Sequence, residues 1–208
     1  MDAPPNDLTL NDLSPDPHDP LPGYAELICR SNFSFLTGAS HPEELVQQAH
    51  ARGYAALALT DECSLAGVVR AHTEARRLGL PLIVGSLMQL SPATPGGPPG
   101  PSLVLLAQSR RGYGNLAQWI TVARRRAPKG QYEARMSDIE GRVPTAPMLA
   151  GLPDCFALLR VDGIRGTPQP FEALFAQALW VKTWFGSERA ALALTLQRRP
   201  HEALLTDL

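Results

Sequence analysis

Hydrophobic and polar residues form a repeating pattern that predicts strands alternating with amphipathic helices. Short apolar runs bounded by turn residues predict strands at 24–31, 54–60, 80–90, 102–108, 155–161 and 189–197. Longer segments with apolar residues three and four positions apart predict helices at 40–53, 64–79, 112–126 and 169–186. The first three strands are separated by helices, which indicates βαβ units and a parallel sheet. The predicted fold class is therefore α/β.

The helical segments also predict which side chains face the core. In segment 64–79 the apolar face consists of Leu65, Val68, Val69 and Ala75. In segment 169–186 it consists of Phe171, Leu174, Phe175, Ala178, Leu179 and Val181. Ser40, with Glu43 three residues later, predicts a capping box at the start of helix 40–53, and Gly53 predicts its end.

Three segments show neither the strand pattern nor the helical pattern of apolar residues. Residues 1–22 are rich in Pro and Asp and predict a disordered tail, so the folded domain is expected to span 23–208. Residues 91–102 are dense in Pro and Gly and predict an exposed loop, and residues 127–153 are expected to be irregular. The last residues, RRPHEALLTDL, could begin another helix.

Composition excludes several classes of protein. A net charge of −1 excludes a chain that is basic throughout, so any nucleic-acid contact would come from a local patch. Three cysteines without a CxxC spacing argue against a disulfide framework or zinc ribbon and favour a reducing compartment. No apolar run approaches the roughly 20 residues of a membrane span, and no signal-peptide pattern begins the sequence. We therefore expect a cytoplasmic protein without membrane contact.

The segment LALTDECSLAGV (57–68) carries the main candidate site. Asp61 and Glu62 directly follow a buried strand, at the end where α/β folds place their chemistry. The two carboxylates could bind a divalent metal or act as a general base. They could instead end the strand and stabilise the N-terminus of the following helix, and these residues alone favour this second interpretation. No histidine falls at a strand end to complete a metal site.

Two basic features offer further candidates. Alternation along strand 24–31 places Glu26, Ile28 and Arg30 on one face, from which Arg30 could pair with Asp61. The basic segment 124–129 could contact phosphate, or it could simply complement a helix C-terminus. Its cationic residues are Arg124, Arg125, Arg126 and Lys129.

Four blocks of sequence resemble a known family. They read YAELICRSNFSFLTGASHPEEL, GYAALALTDECSLAGVVRAH, LPLIVGS and LVLLAQSRRGYGNLAQWIT. In this order they resemble the N-terminal PHP (polymerase and histidinol phosphatase) domain of bacterial C-family DNA polymerase III alpha subunits, above all the error-prone, damage-inducible branch. The resemblance implies a distorted (β/α)7 barrel, which we expect to be incomplete at its C-terminal end in this chain.

The resemblance also implies a metal site that has been lost. In metal-binding members the first strand carries His-x-His, the second ends in Thr-Asp-His, and a Glu follows the third. Ile28 and Arg30 stand at the first pair of positions, Glu62 at the next histidine, and Leu87 at the glutamate. Only Asp61 matches, so the resemblance implies a remnant site with no catalytic residue and no cofactor.

The resemblance leaves three functions open. The first is a structural PHP portion of an error-prone DNA polymerase, whose partners would be the rest of the polymerase or replication and repair subunits, with DNA contacted only indirectly. The second is a metal-dependent phosphoesterase or 3′–5′ exonuclease, which the missing histidines oppose. The third is a docking module without enzymatic activity. Since the polymerase palm is not in this sequence, we expect no DNA synthesis by this chain alone.

Overall fold

The computed structural model describes residues 23–94, 96–161 and 170–195, which form a curled, half-barrel sheet with helices on its convex face. The six strands are β1 (Ala25–Cys29), β2 (Ala56–Leu59), β3 (Leu82–Gln89), β4 (Ser102–Ala107), β5 (Cys155–Arg160) and β6 (Ala190–Ala193). The helices are α1 (Pro42–Ala51), α2 (Val68–Leu78), α3 (Arg110–Arg126), α4 (Met136–Ile139) and α5 (Phe171–Phe185). The strands lie side by side in sequence order.

The strand directions agree with the sequence in part. β1, β2 and β3 pair in parallel, as predicted, and β5 and β6 are also parallel. β4 runs antiparallel to both β3 and β5. The Pro/Gly-rich segment before β4 contains no helix among its described residues, so the chain returns directly beside β3 without a crossover.

The two faces of the sheet form separate cores. On the convex face, α1 and α2 pack on β1 and β2, whereas α3 places the buried Leu116 and Trp119 against the second half of the sheet. The concave face carries a smaller apolar cluster that includes Ala58, Leu87 and Val104.

Two predicted helix faces need correction. Val69 is exposed because α2 turns Ala71 and Ala75 toward the sheet instead. On α5, Leu174 and Val181 are buried as expected, as is Phe185. Three side chains of α5 that were predicted to face the core are exposed, because the helix contacts the sheet along one side only: Phe171, Phe175 and Leu179.

The ends of some elements also differ from the prediction. Helix α1 is capped by His41 rather than Ser40, since the Glu44 carboxylate accepts the His41 N–H at 2.8 Å. Gly53 follows α1 with a φ of 70°, as its predicted role requires. The segment expected to be irregular contains α4 and buries Ile139 in the core. The predictions for residues 1–22 and for the last residues of the chain lie outside the described residues.

Two glycines of α3 provide a matched test of the packing of this helix on the turn before β5. A Cβ atom at Gly112 would lie 1.9 Å from the backbone oxygen of Asp154, whereas one at Gly114 would meet nothing within 4 Å. We expect Gly112→Ala to lower the free energy of unfolding by about 1–3 kcal/mol through overpacking. Gly114→Ala should raise it by about 0.5–1 kcal/mol through helix propensity. Urea denaturation of both variants checks this, and shifts of the same sign would contradict it.

Candidate functional site at the end of β2

The positions implied by the sequence meet at one edge of the sheet. Glu62 and Leu87 form a parallel bridge, the Leu87 N–H donates to the Asp61 carbonyl at 3.1 Å, and the Cys63 N–H donates to the Leu87 carbonyl at 2.8 Å. The neighbouring β1 is joined here as well, because the Thr60 N–H donates to the Cys29 carbonyl at 2.7 Å. Pairing of parallel strands therefore brings Asp61, Glu62 and Leu87 together at the ends of β2 and β3.

The Asp61 carboxylate is buried and held by two serines. Only 1% of the surface of Asp61 is exposed to solvent. Oδ1 accepts the Ser31 N–H at 2.8 Å and the Ser34 hydroxyl at 2.7 Å. Oδ2 accepts the Ser31 hydroxyl at 2.7 Å. Both oxygens are thus used by protein donors, which is how a buried carboxylate is normally stabilised.

The serines belong to the loop 31–38 (SNFSFLTG), which wraps around the end of β2. The Ser34 hydroxyl also accepts the Glu62 N–H at 2.9 Å, so it fixes both acidic residues. The turn closes tightly, since a Cβ atom at Gly38 would lie 1.8 Å from the Ser31 carbonyl oxygen. Sequence reasoning missed this loop as part of the site. The signal in the sequence was a Ser-x-x-Ser pair directly after β1, the strand that lies beside β2, which Asp61 follows.

The pairing of Arg30 with Asp61, one of two alternatives that the sequence left open, is wrong. Within the described ranges, the ion pairs found within 4 Å do not join these two residues. The register between β1 and β2 shifts between Glu26 and Cys29, and the Glu26 carboxylate accepts the Ile28 N–H at 2.7 Å. This bulge interrupts the regular alternation on which the expectation depended. Ser31 and Ser34 donate to Asp61 in place of the arginine.

Glu62 holds a second loop through a hydrogen bond with Tyr132. Its Oε1 accepts the Tyr132 hydroxyl at 2.9 Å, and the Tyr132 oxygen in turn accepts the Gln89 N–H at 3.0 Å. Burial, followed by the nearby negative charge of Glu62, raises the pKa of Tyr132 well above its ordinary range. The tyrosine therefore remains a neutral donor that joins the loop after α3 to the end of β3.

The basic segment 124–129 divides into internal and exposed side chains. The Arg124 guanidinium donates to the Cys63 carbonyl at 3.0 and 3.1 Å and lies over the Tyr132 ring. Arg126 forms two hydrogen bonds to Asp138, at 2.7 and 2.8 Å. Phosphate contact stays a prediction for the two exposed cations, Arg125 and Lys129.

The residues at the family's metal positions do not fit a metal ion. Ile28 and Leu87 offer only hydrocarbon, and Arg30 offers a cation. Asp61 and Glu62 offer carboxylate oxygens, but the loop donors already use both oxygens of Asp61, and the Glu62 Oε1 accepts the Tyr132 hydroxyl. Across residues 23–94, 96–161 and 170–195, no group of three or more His, Cys, Asp or Glu side chains could hold a metal.

Comparison with known protein families identifies the family of this chain. The PHP domain family matches residues 26–195. The chain belongs to the PHP domain family. The PHP domain is 54% identical over 175 residues to the error-prone DNA polymerase of Bordetella parapertussis, and 48% identical over 184 residues to that of Burkholderia mallei. The predicted resemblance is therefore confirmed.

This PHP domain corresponds to a small part of those relatives. The two alignments cover 80% and 86% of this chain but only 16% and 17% of the polymerases. The chain thus spans about one-sixth of the length of the curated relatives that it matches.

The fold agrees with a solved structure. A proposed metal-dependent phosphoesterase from Bifidobacterium adolescentis superposes with a TM-score of 0.52 at 14% identity, covering 78% of this chain and 76% of that one. At this level of identity the likeness concerns the fold alone. It confirms the predicted PHP-type α/β fold, here as a half-barrel. The described helices include none that is both long and apolar enough to cross a membrane.

Proposed function

We propose that this PHP domain is a structural part of an error-prone DNA polymerase and binds no metal or other cofactor. The proposal rests on one observation, the hydrogen bonding of Asp61, whose two oxygens accept three bonds from Ser31 and Ser34. To ligate a metal, the carboxylate would have to give up these donors and leave them buried without a partner, which is costly. Ile28, Arg30 and Leu87 supply no ligand that would compensate for this loss, and the Glu62 carboxylate already accepts the Tyr132 hydroxyl.

The relatives suggest partners for the domain. Proteins 48–58% identical to it are error-prone DNA polymerases, and each is much longer. We propose that templated DNA synthesis past lesions belongs to a larger assembly, in which the rest of a polymerase, or replication and repair subunits, are the partners of this domain. DNA would be contacted only indirectly, with the assembly located in the cytoplasm.

Metal titration tests the proposal. We expect Mn²⁺ or Mg²⁺ to leave the melting temperature of the 208-residue chain unchanged, because binding to the folded state alone would raise it. We also expect no hydrolysis of bis-p-nitrophenyl phosphate and no shortening of single-stranded DNA from its 3′ end. Glu62→Gln and Asp61→Asn serve as matched variants of the two acidic positions. Metal-dependent cleavage that is lost in Asp61→Asn and retained in Glu62→Gln would instead establish the phosphoesterase or exonuclease alternative.

A further inference from the structure

Two large apolar side chains stand in solvent at the end of the loop 31–38. Phe35 is 84% exposed and Leu36 is 89% exposed, the two highest values among the large hydrophobic side chains of the described residues. We call these two residues the loop tip. Single apolar residues are common on protein surfaces, whereas apolar neighbours that form one patch are typical of a contact with another molecule.

Hydrogen bonds fix the backbone that carries the loop tip. The Ser34 carbonyl accepts the N–H groups of Thr37 and Gly38, at 3.0 and 2.9 Å, and so closes a turn around the two side chains. The Asn32 N–H donates to the Ser40 carbonyl at 2.9 Å, which joins the base of the loop to the start of α1. The backbone therefore holds the loop tip in a defined position.

The buried Asp61 anchors the same loop to the end of β2. Its carboxylate accepts three hydrogen bonds from Ser31 and Ser34. Ser34 directly precedes Phe35, so these bonds lie at the base of the turn. The loop is thus attached to a rigid part of the sheet, although the described residues leave its tip uncovered.

The backbone of Leu36 lies in an unfavourable conformation. Its φ of 63° places it in the left-handed region, where a Cβ atom crowds the following carbonyl oxygen and where glycine or asparagine is usual. A large side chain that adds strain and remains almost fully exposed does not stabilise this domain. Strain of this kind is typical of functional sites, so the leucine is expected to contribute in a complex.

The charges around the loop favour a protein as the partner. Residues 30–44 contain one arginine, one histidine and two glutamates, and Glu62 lies beside Ser34. Arg70, which reaches this segment from α2, is paired with Glu43. Nucleic acids and anionic lipid surfaces are held mainly by clusters of cations, and residues 30–44 hold no such cluster. An apolar pocket on a protein surface is the chemistry that fits the loop tip.

We propose that the loop tip inserts Phe35 and Leu36 into an apolar pocket on the rest of an error-prone DNA polymerase. The inference rests on the proposed function, in which that portion of a polymerase is the partner of this domain. The length of the relatives supports this occupant, because the matched residues make up only 16% and 17% of them. A rigid anchor loses little conformational entropy on binding, and attachment within one polypeptide strengthens the contact further.

This assignment gives the Asp61 site a use without a metal. Asp61 is a positioning residue, because it holds Ser31 and Ser34 and thereby the turn that presents the loop tip. The end of β2 then serves as a contact surface between two parts of a polymerase.

A chimera tests the contact. In the full-length error-prone DNA polymerase of Bordetella parapertussis, the aligned segment of this chain replaces its counterpart. We expect Phe35→Ser to lower the first melting transition of the chimera by several degrees, because the anchor is buried there, and to leave the melting temperature of the 208-residue chain unchanged. Phe35→Leu should retain the transition of the parent chimera.

Tyr113→Ser provides the control for this comparison. Tyr113 is 43% exposed on α3, and its substitution should leave the melting of the chimera and of the 208-residue chain unchanged. Equal melting of the Phe35→Ser chimera and the parent chimera would overturn the proposal. The same holds if Tyr113→Ser lowers the transition of the chimera as much as Phe35→Ser does.

Photo-cross-linking in the same chimera identifies the occupant. With Phe35→p-benzoylphenylalanine we expect a cross-link to a peptide of the Bordetella portion, identified by mass spectrometry, and none with Tyr113→p-benzoylphenylalanine. A cross-link to a second copy of the chimera or to added primer–template DNA would overturn the proposal, as would the absence of any cross-link. Primer extension tests the proposed function separately. A folded parent chimera that extends no primer overturns the proposed function, whereas an active chimera without the cross-link overturns this inference alone.

Substitution of Leu36 separates binding from stability. Leu36→Gly should raise the melting temperature of the 208-residue chain, because glycine adopts a φ of 63° without strain. In the chimera the same substitution should lower the first melting transition, since half of the anchor is lost. A higher melting temperature in both proteins would contradict the contact.

Discussion

Replacing Arg126 with alanine should lower the free energy of unfolding by about 3–5 kcal/mol, the loss typical of removing one partner from a buried ion pair. Asp138 is fully buried, and its carboxylate accepts two hydrogen bonds from the Arg126 guanidinium, at 2.7 and 2.8 Å. Without the arginine, the charge keeps only the Trp119 indole at 2.9 Å and the Arg135 N–H at 3.0 Å. A buried carboxylate with so little compensation strongly destabilises the folded state.

The preceding arginine provides the control. Arg125 is exposed on the same helical turn, so Arg125→Ala should change the free energy of unfolding by no more than about 0.5 kcal/mol. Urea denaturation followed by circular dichroism measures both variants under the same conditions. Losses of similar size in the two variants would mean that the charge of the segment, rather than the pair with Asp138, stabilises the fold.

The pH dependence gives an independent check of this pair. Burial by itself would raise the pKa of Asp138, but hydrogen bonds from Arg126, Trp119 and the Arg135 N–H, together with the charge of Arg126, outweigh burial and leave the pKa below its usual range. Since the folded-state pKa is depressed, the stabilisation is fully present above the unfolded value of about 3.9 and is lost as the pH falls through the lower folded value. The difference in stability between the parent and Asp138→Asn should therefore narrow in acid.

Replacing Asp61 with alanine should lower the free energy of unfolding by about 2–4 kcal/mol, because it leaves buried donors without an acceptor. These donors are the Ser31 N–H and the hydroxyls of Ser31 and Ser34. We also expect the loop 31–38 to become susceptible to proteolysis, since these bonds hold it against the end of β2. Urea denaturation and limited proteolysis measure the two effects.

Substitution of the adjacent carboxylate, Glu62, tests whether Asp61→Ala destabilises the fold by removing a negative charge or by removing specific hydrogen bonds. Glu62→Gln retains an acceptor for the Tyr132 hydroxyl, so it should lower the free energy of unfolding by about 0.5 kcal/mol or less. Asp61→Asn should fall between Asp61→Ala and the parent, because an amide oxygen can still accept the two bonds now made to Oδ1. If Asp61→Ala unfolded at the parent's urea concentration, the serines would contribute nothing, and the argument against metal binding would lose its basis.

The sequence by itself determined the fold class, the positions of the strands and the location of the candidate site. These features depend on local patterns: short apolar runs between breakers, helical periodicity, and an acidic pair directly after a strand. The parallel pairing of β1, β2 and β3 also followed from the sequence, because a helix between two strands leaves few other arrangements. The assignment of the vestigial positions came from the resemblance to the family and stays a prediction.

Only the tertiary structure decided how the side chains at the site are used. The donors to Asp61 come from residues about thirty positions away, and the partner of Arg126 comes from a different element, so no local pattern specifies them. The register between β1 and β2 shifts between Glu26 and Cys29, and alternation along the strand does not encode this shift. The exposed side chains of α5 are apolar and have helical spacing, so local patterns predict that they are buried. Whether such a face is covered depends on which other element lies beside it, and periodicity alone does not contain that information.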